Sequence, residues 1–347
     1  MIPFSPLSTN PFGGGPKSTC APPGIYFPTL RRIVRREDRS NAVKWRRTLL
    51  SLLTVAVLAG CGRGERTSPP AASPKKETLL IGLIPERNIF KQFERHEPLA
   101  AYLSTRTGVD VKLKALAHYG NVIENFESLK LDGAFFGSFG YSLAHARLGV
   151  EVLARPETLD GISTYRGLMF VRKDSGITSI AKMKGKRLAL VARATAAGCL
   201  FPLVRLHEAG VTKPEAYFSE VYYAGSHDGT IRDVLEGKAD VGASKDSVFR
   251  ELAAADPRVE RELRIVAESV AVPENALAVR RTIDPAVKKK VLDALITMHE
   301  VAEGKQVLER FGARRFVETT DADYAPVLKY SASIGIDLAT YDFTNAQ

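Results

Sequence analysis

The residues with the clearest chemical content lie in Tyr223-Ala224-Gly225-Ser226-His227-Asp228-Gly229-Thr230. They follow a run with strand character, Glu220-Val221-Tyr222-Tyr223, and open one with helix character over 230–236. Ser226 or Asp228 can cap the helix start. His227 then stands at the positive end of a helix dipole, and strand, polar turn and helix N-terminus together form a corner suited to an anion. The same residues also describe an ordinary capped turn, and the turn alone leaves both readings open. Ser226-His227-Asp228 has the residue types of a catalytic triad, but consecutive positions do not set nucleophile, base and orienting group in a line. No Gly-x-Ser-x-Gly, His-Glu-x-x-His or Walker sequence is present. His96, His118, His145 and His207 are scattered without metal-ligand spacing. Neither an enzyme, a metal nor a cofactor is therefore expected.

The elements that must position this turn alternate between strand and helix. Apolar strands are predicted over 79–83, 109–113, 131–136 and 150–154, with helices over 90–107 (interrupted near Pro98), from Tyr119 through Leu129, and from Gly137 onward. After the strand at 165–171 the plan restarts: a short helix at 177–183, a strand at 185–191 leading into Thr195-Ala196-Ala197-Gly198, a helix to His207, then the opening turn. Strands at 239–243 and 263–268 and a helix at 247–254 follow. Residues 273–279 read as a return crossing, and helices are expected over 285–302, 305–311 and 324–334. Such alternation predicts a largely parallel α/β sheet, with ligands outside the carboxyl ends of the strands. The expected fold is two α/β lobes around a cleft: lobe 1 from 79–165 and 271–347, lobe 2 from 166–270. Helix starts at Tyr119, Ser138, Thr195-Ala196-Ala197-Gly198 and Ser226-His227 would point their dipoles into it and hold an anion with few basic side chains.

The formal charge of +10 is concentrated at the N-terminus: residues 1–60 carry nine Lys/Arg against two Asp/Glu, which leaves +3 for the rest. A nearly neutral body gives no case for a nucleic-acid partner. Lys44-Trp45-Arg46-Arg47 precedes an apolar stretch over 48–59, and Leu58-Ala59-Gly60-Cys61 closes it. This matches a signal peptide ending in a bacterial lipobox, with Cys61 lipidated and first in the mature chain; an ordinary signal peptide with a chance cysteine is the alternative. The domain reading is thus a leader and signal peptide over 1–60, with translation starting near Val43, and a flexible linker over 61–78. Only Cys199 then remains besides Cys61, so no disulfide forms within the mature body, and its apolar surroundings make it a packing residue.

From about Leu79 to Ile334 the sequence resembles the phosphate/phosphite/phosphonate substrate-binding proteins of ABC transporters. The resemblance is carried by Pro98-Leu99 with Tyr102-Leu103 and Gly108, Tyr119 before a helix, and Ser175-Gly176-Ile177 with Lys184-Gly185-Lys186. Gly225-Ser226-His227-Asp228, Gly237-Lys238-Ala239-Asp240 and Val272-Pro273-Glu274-Asn275 complete it, in the family's order and spacing. It implies an α/β, two-lobed periplasmic-binding-protein fold of type 2 with the ligand between lobes. Tyr119 and Tyr165 fall on the family's ligand-gripping tyrosines, and His227 on its histidine. Other positions depart. A Ser-Thr-Ser-Gly turn is here Thr195-Ala196-Ala197-Gly198, an acidic residue is Asn275, and the glutamate that meets an amine tail in aminophosphonate binders falls near Ser247, beside Asp246. Each missing hydroxyl bond weakens binding by about 0.5–1.5 kcal/mol, and Asn275 can donate where an ionised Asp only accepts. Together with the lipobox at Cys61, the expectation is a periplasmic, membrane-anchored lipoprotein. It captures a small oxyanion for an ABC permease or, alternatively, senses its ligand and signals to a membrane receptor without transport.

Overall fold

The computed structural model describes residues 77–86 and 89–344. The leader, the signal segment, Cys61 and all but the end of the linker lie outside the described residues. The chain from Pro70 to Gln347 is a compact unit. The core clusters and strand pairings of the described residues fall inside it.

The first run of elements is β1 (Thr78–Leu83), α1 (Ile89–Thr107), β2 (Asp110–Ala115), α2 (Asn121–Ser128), β3 (Gly133–Phe136), α3 (Ser138–Leu148) and β4 (Glu151–Thr158). The chain crosses through β5 (Thr164–Tyr165). It then builds β6 (Gly167–Arg172), β7 (Arg187–Leu190), α4 (Phe201–Glu208), α5 (Pro214–Tyr217), β8 (Glu220–Tyr223), α6 (His227–Leu235), β9 (Val241–Lys245), α7 (Asp246–Ala255), α8 (Arg258–Glu262) and β10 (Leu263–Glu268). It returns through β11 (Val272–Pro273) to β12 (Ala276–Val279), α9 (Pro285–Thr297), α10 (Ala302–Phe311), β13 (Ala313–Glu318) and α11 (Ala325–Ser333).

One lobe holds a six-stranded sheet in the order β13-β4-β12-β3-β1-β2, the other a five-stranded sheet in the order β10-β6-β9-β7-β8. The central strands β3, β9 and β12 are buried along their whole length, as strands covered on both faces must be. The two crossings pair with each other: β5 and β11 run antiparallel, Tyr165 opposite Val272 and Thr164 opposite Pro273. The lobes are therefore joined by a two-stranded hinge.

Three expectations are corrected. The sheets are mixed rather than largely parallel: β1 pairs parallel with β2 and β3, and β7 with β8 and β9, but β6 and β12 pair antiparallel with both neighbours. Both are the strands that enter a lobe from the hinge, so they arrive from the opposite direction. Strand β13 was not foreseen, because Arg314 and Arg315 break its apolar pattern. It is held as an edge strand on β4, where Arg315 grips Glu157 by two bonds of 3.1 Å. Helix α1 runs unbroken through Pro98. The proline forfeits one backbone bond, while Leu99, Tyr102 and Leu103 beyond it are buried on one face and keep the helix docked.

After α11 the chain spans both lobes. Arg147 of α3 donates to the carbonyls of Leu338 (3.3 Å) and Tyr341, and Arg193, beyond β7, pairs with Asp342 at 3.2 Å.

Candidate functional site

The turn before α6 has the geometry its residues imply. Gly225 takes φ of +80°, a left-handed conformation that favours glycine. Ser226 follows in extended conformation and caps the helix, its Oγ accepting the Gly229 N–H at 3.2 Å. Ser226 rather than Asp228 is thus the cap. His227 is the first helical residue and is buried. Its Nδ1 accepts the backbone N–H of Lys245 at 3.1 Å. A backbone amide only donates, so Nδ1 is unprotonated and the ring proton sits on Nε2. The Tyr119 ring, from the start of α2 in the other lobe, stands edge-on to the imidazole, 6.2 Å between centroids.

The remaining sequence-predicted residues gather around this pair. Ser138, at the start of α3, is fully buried with Oγ 2.7 Å from the Tyr165 hydroxyl. Burial, partly opposed by the nearby Lys245 cation, pushes the Tyr165 phenol up to about 12, so it stays a neutral hydroxyl. Residues Ala196–Leu200 form a π-helical turn continuous with α4. Thr195 precedes it and gives its hydroxyl proton to the Ala192 carbonyl at 2.6 Å. Only backbone amides of Ala196, Ala197 and Gly198 therefore offer donors from this turn, in keeping with the unpaired N–H groups of a helix's first turn. Gly198 packs so tightly beyond β7 that a Cβ there would clash with the Val191 side chain. Tyr119, Tyr165, Ala196, Ala197 and Val272 belong to one buried cluster that spans both lobes.

Asn275 leads to residues that the sequence reading missed. Its Oδ1 lies 3.5 Å from Nζ of Lys245, the last residue of β9. The same ammonium is 2.7 Å from Glu86 Oε1, bonded to Glu274 Oε1, and 4.4 Å from the centroid of the Tyr165 ring. The side chains of Lys245 and Glu86 are only 3% and 6% exposed. Lys245 comes from the five-stranded lobe, Glu86 from the loop after β1, and Glu274 from the hinge. Burial lowers the lysine's pKa, but the Glu274 and Glu86 carboxylates outweigh it and hold the group above its ordinary value. Beside them a cavity of about 700 Å³ opens, lined by Glu86, Glu274, Gln92, Arg95, Ser247 and Glu251 among others. A partial signal was present for two of them: Lys245 ends and Glu86 follows an apolar sheet strand, where ligands bind in open α/β sheets, whereas Glu274 follows only the hinge strand β11.

Comparison with known proteins agrees with this architecture. Residues 81–324 match the family of periplasmic substrate-binding proteins of phosphonate ABC transporters. The chain belongs to this family. The phosphate-import protein PhnD of Mycolicibacterium smegmatis is 26% identical over 294 residues, covering 78% of this chain and 90% of the relative. A binding-protein component of an ABC phosphonate transporter from Pseudomonas aeruginosa superposes with a TM-score of 0.68 at 22% identity, over 75% of this chain and 87% of that one. PhnD1 of Prochlorococcus marinus, solved with methylphosphonate, gives 0.66 at 22% identity, over 74% and 98%. The family fixes the fold as a two-lobed, type 2 periplasmic binding protein and the general role as the substrate-binding component of a transporter. Among the described residues no helix is long and apolar enough to cross a membrane, and no group of three or more His, Cys, Asp or Glu is placed to hold a metal.

Proposed function

We propose that this protein is the substrate-binding lipoprotein of an ABC importer and captures a small oxyanion of the phosphonate, phosphite or phosphate class between its lobes. One observation carries the reading: His227 carries its proton on Nε2 and faces Tyr119 of the other lobe. The contacts of Tyr119 with His227 and of Ser138 with Tyr165, and the packing of Ala196 and Ala197 in one buried cluster with both tyrosines, support it. A neutral donor, neutral hydroxyls and helix-start amides suit an anion held by hydrogen bonds and dipoles. The names of the relatives support the same ligand class.

The test is a thermal-shift and calorimetric screen of the body, residues 70–347, against phosphate, phosphite, methylphosphonate, sulfate and organic phosphates. At least one tetrahedral oxyanion is expected to raise the melting temperature; no shift from any of them would end the proposal. Anchoring through Cys61 is a further part of this reading. Labelled palmitate is expected to enter the full-length chain and not Cys61→Ala, and equal labelling of both would remove the lipid.

A further inference from the structure

We infer that Lys245 occupies, with its own side chain, a box built for an ammonium group, and that this tunes the cleft to anions carrying no amine. The inference rests on the anion-binding reading above but concerns different atoms. An ammonium has three N–H donors. Here they meet three acceptors, the Glu86 and Glu274 carboxylates and the Asn275 carbonyl, while the Tyr165 ring covers a further side at cation–π distance. Two carboxylates, an amide oxygen and an aromatic face would hold the head group of an alkylammonium equally well. The box lies between the lobes and touches the candidate anion site at three points: the Tyr165 ring, Asn275, and the lysine's own backbone N–H on His227.

Stability does not require this arrangement, since a buried ion pair can be replaced by apolar residues of similar volume at little or no cost. It does have a consequence for selection. With Lys245 in place, a phosphonate whose substituent ends in an amine must either evict the lysine or leave its own ammonium outside the box. Phosphonates without an amine meet no such competitor. Glu86 and Glu274 also border the 700 Å³ cavity, which gives small cations a route to the box once the lysine is shortened.

The experiment uses chemical rescue in the body, residues 70–347. Lys245→Ala is expected to melt well below the wild type and to recover several degrees in ethylammonium or propylammonium chloride relative to equal potassium chloride. Wild type and Lys245→Met, whose side chains fill the space, should show no such gain. Equal responses in all three proteins, or none in Lys245→Ala, would overturn the inference. Where Lys245→Ala does not fold unaided, its refolding yield with alkylammonium against potassium chloride is the same readout. Calorimetry gives a second arm: the wild type should bind methylphosphonate at least tenfold more tightly than 2-aminoethylphosphonate, and the reverse order also overturns it. If the wild type binds neither of these nor any oxyanion of the screen above, the oxyanion reading fails while the rescue still decides the box.

Discussion

Lys245→Met is expected to destabilise the body by about 3–5 kcal/mol, the usual result of removing one partner from a buried ion pair. Methionine keeps most of the volume but removes the ammonium that sits against the Glu86 and Glu274 carboxylates, both nearly excluded from water. Urea unfolding at pH 7 should show a lower midpoint with an unchanged slope. Adding Glu86→Gln and Glu274→Gln should recover most of the loss, because the cost lies in the stranded charges and not in the missing contact. The sign with pH is also set. A lysine whose pKa is raised on folding contributes in full below its unfolded value, about 10.4, and the contribution fades only as pH rises through the folded value. The lysine's share of the effect is therefore constant across neutral pH. A loss below about 1 kcal/mol, the scale of an exposed pair, would show that the three groups are solvated.

Much of the body could be read from the residues. The strands at 79–83, 220–223 and 263–268 are short runs rich in apolar and β-branched residues, so their pattern finds them. Helix starts bearing Ser138 and His227 follow strand ends, so their convergence on a cleft follows from the ligand rule for α/β sheets. What escaped depends on long-range partners. Strand β13 is stabilised by Glu157, 158 positions away in the chain from Arg315. The reversed direction of β6 and β12 comes from the hinge path, which no local pattern encodes. Tyr165-Arg166-Gly167 reads as one strand but is split at Arg166 into a hinge piece and a sheet piece, because the backbone there serves two sheets. The ion triad escaped for a similar reason. A lone Lys or Glu reads as surface, and only the fold brings Glu86, Lys245 and Glu274 to one point. Thr195 shows the opposite limit: the resemblance makes it a ligand-binding residue, but its hydroxyl donates to its own turn.

His227→Ala should do two separable things. It removes the acceptor for the Lys245 N–H, a buried amide, and an unsatisfied buried donor costs about 1–3 kcal/mol. It also removes the Nε2–H, the donor that the proposed function assigns to the anion. A hydrogen bond to a charged acceptor is worth about 1.5–3 kcal/mol, so affinity for phosphate or methylphosphonate, whichever binds the wild type more tightly, should fall roughly 10- to 100-fold. His227→Asn separates the two effects. Its side-chain oxygen can sit near the place of Nδ1 and accept the Lys245 amide, but its amide group is too short to reach where Nε2 points. Its stability should therefore stay close to that of the wild type while affinity falls as in His227→Ala. If both variants bind the anion as the wild type does, His227 is a structural clamp between α6 and β9, and the anion is held by Tyr119, Tyr165 and the Ala196–Gly198 amides without it.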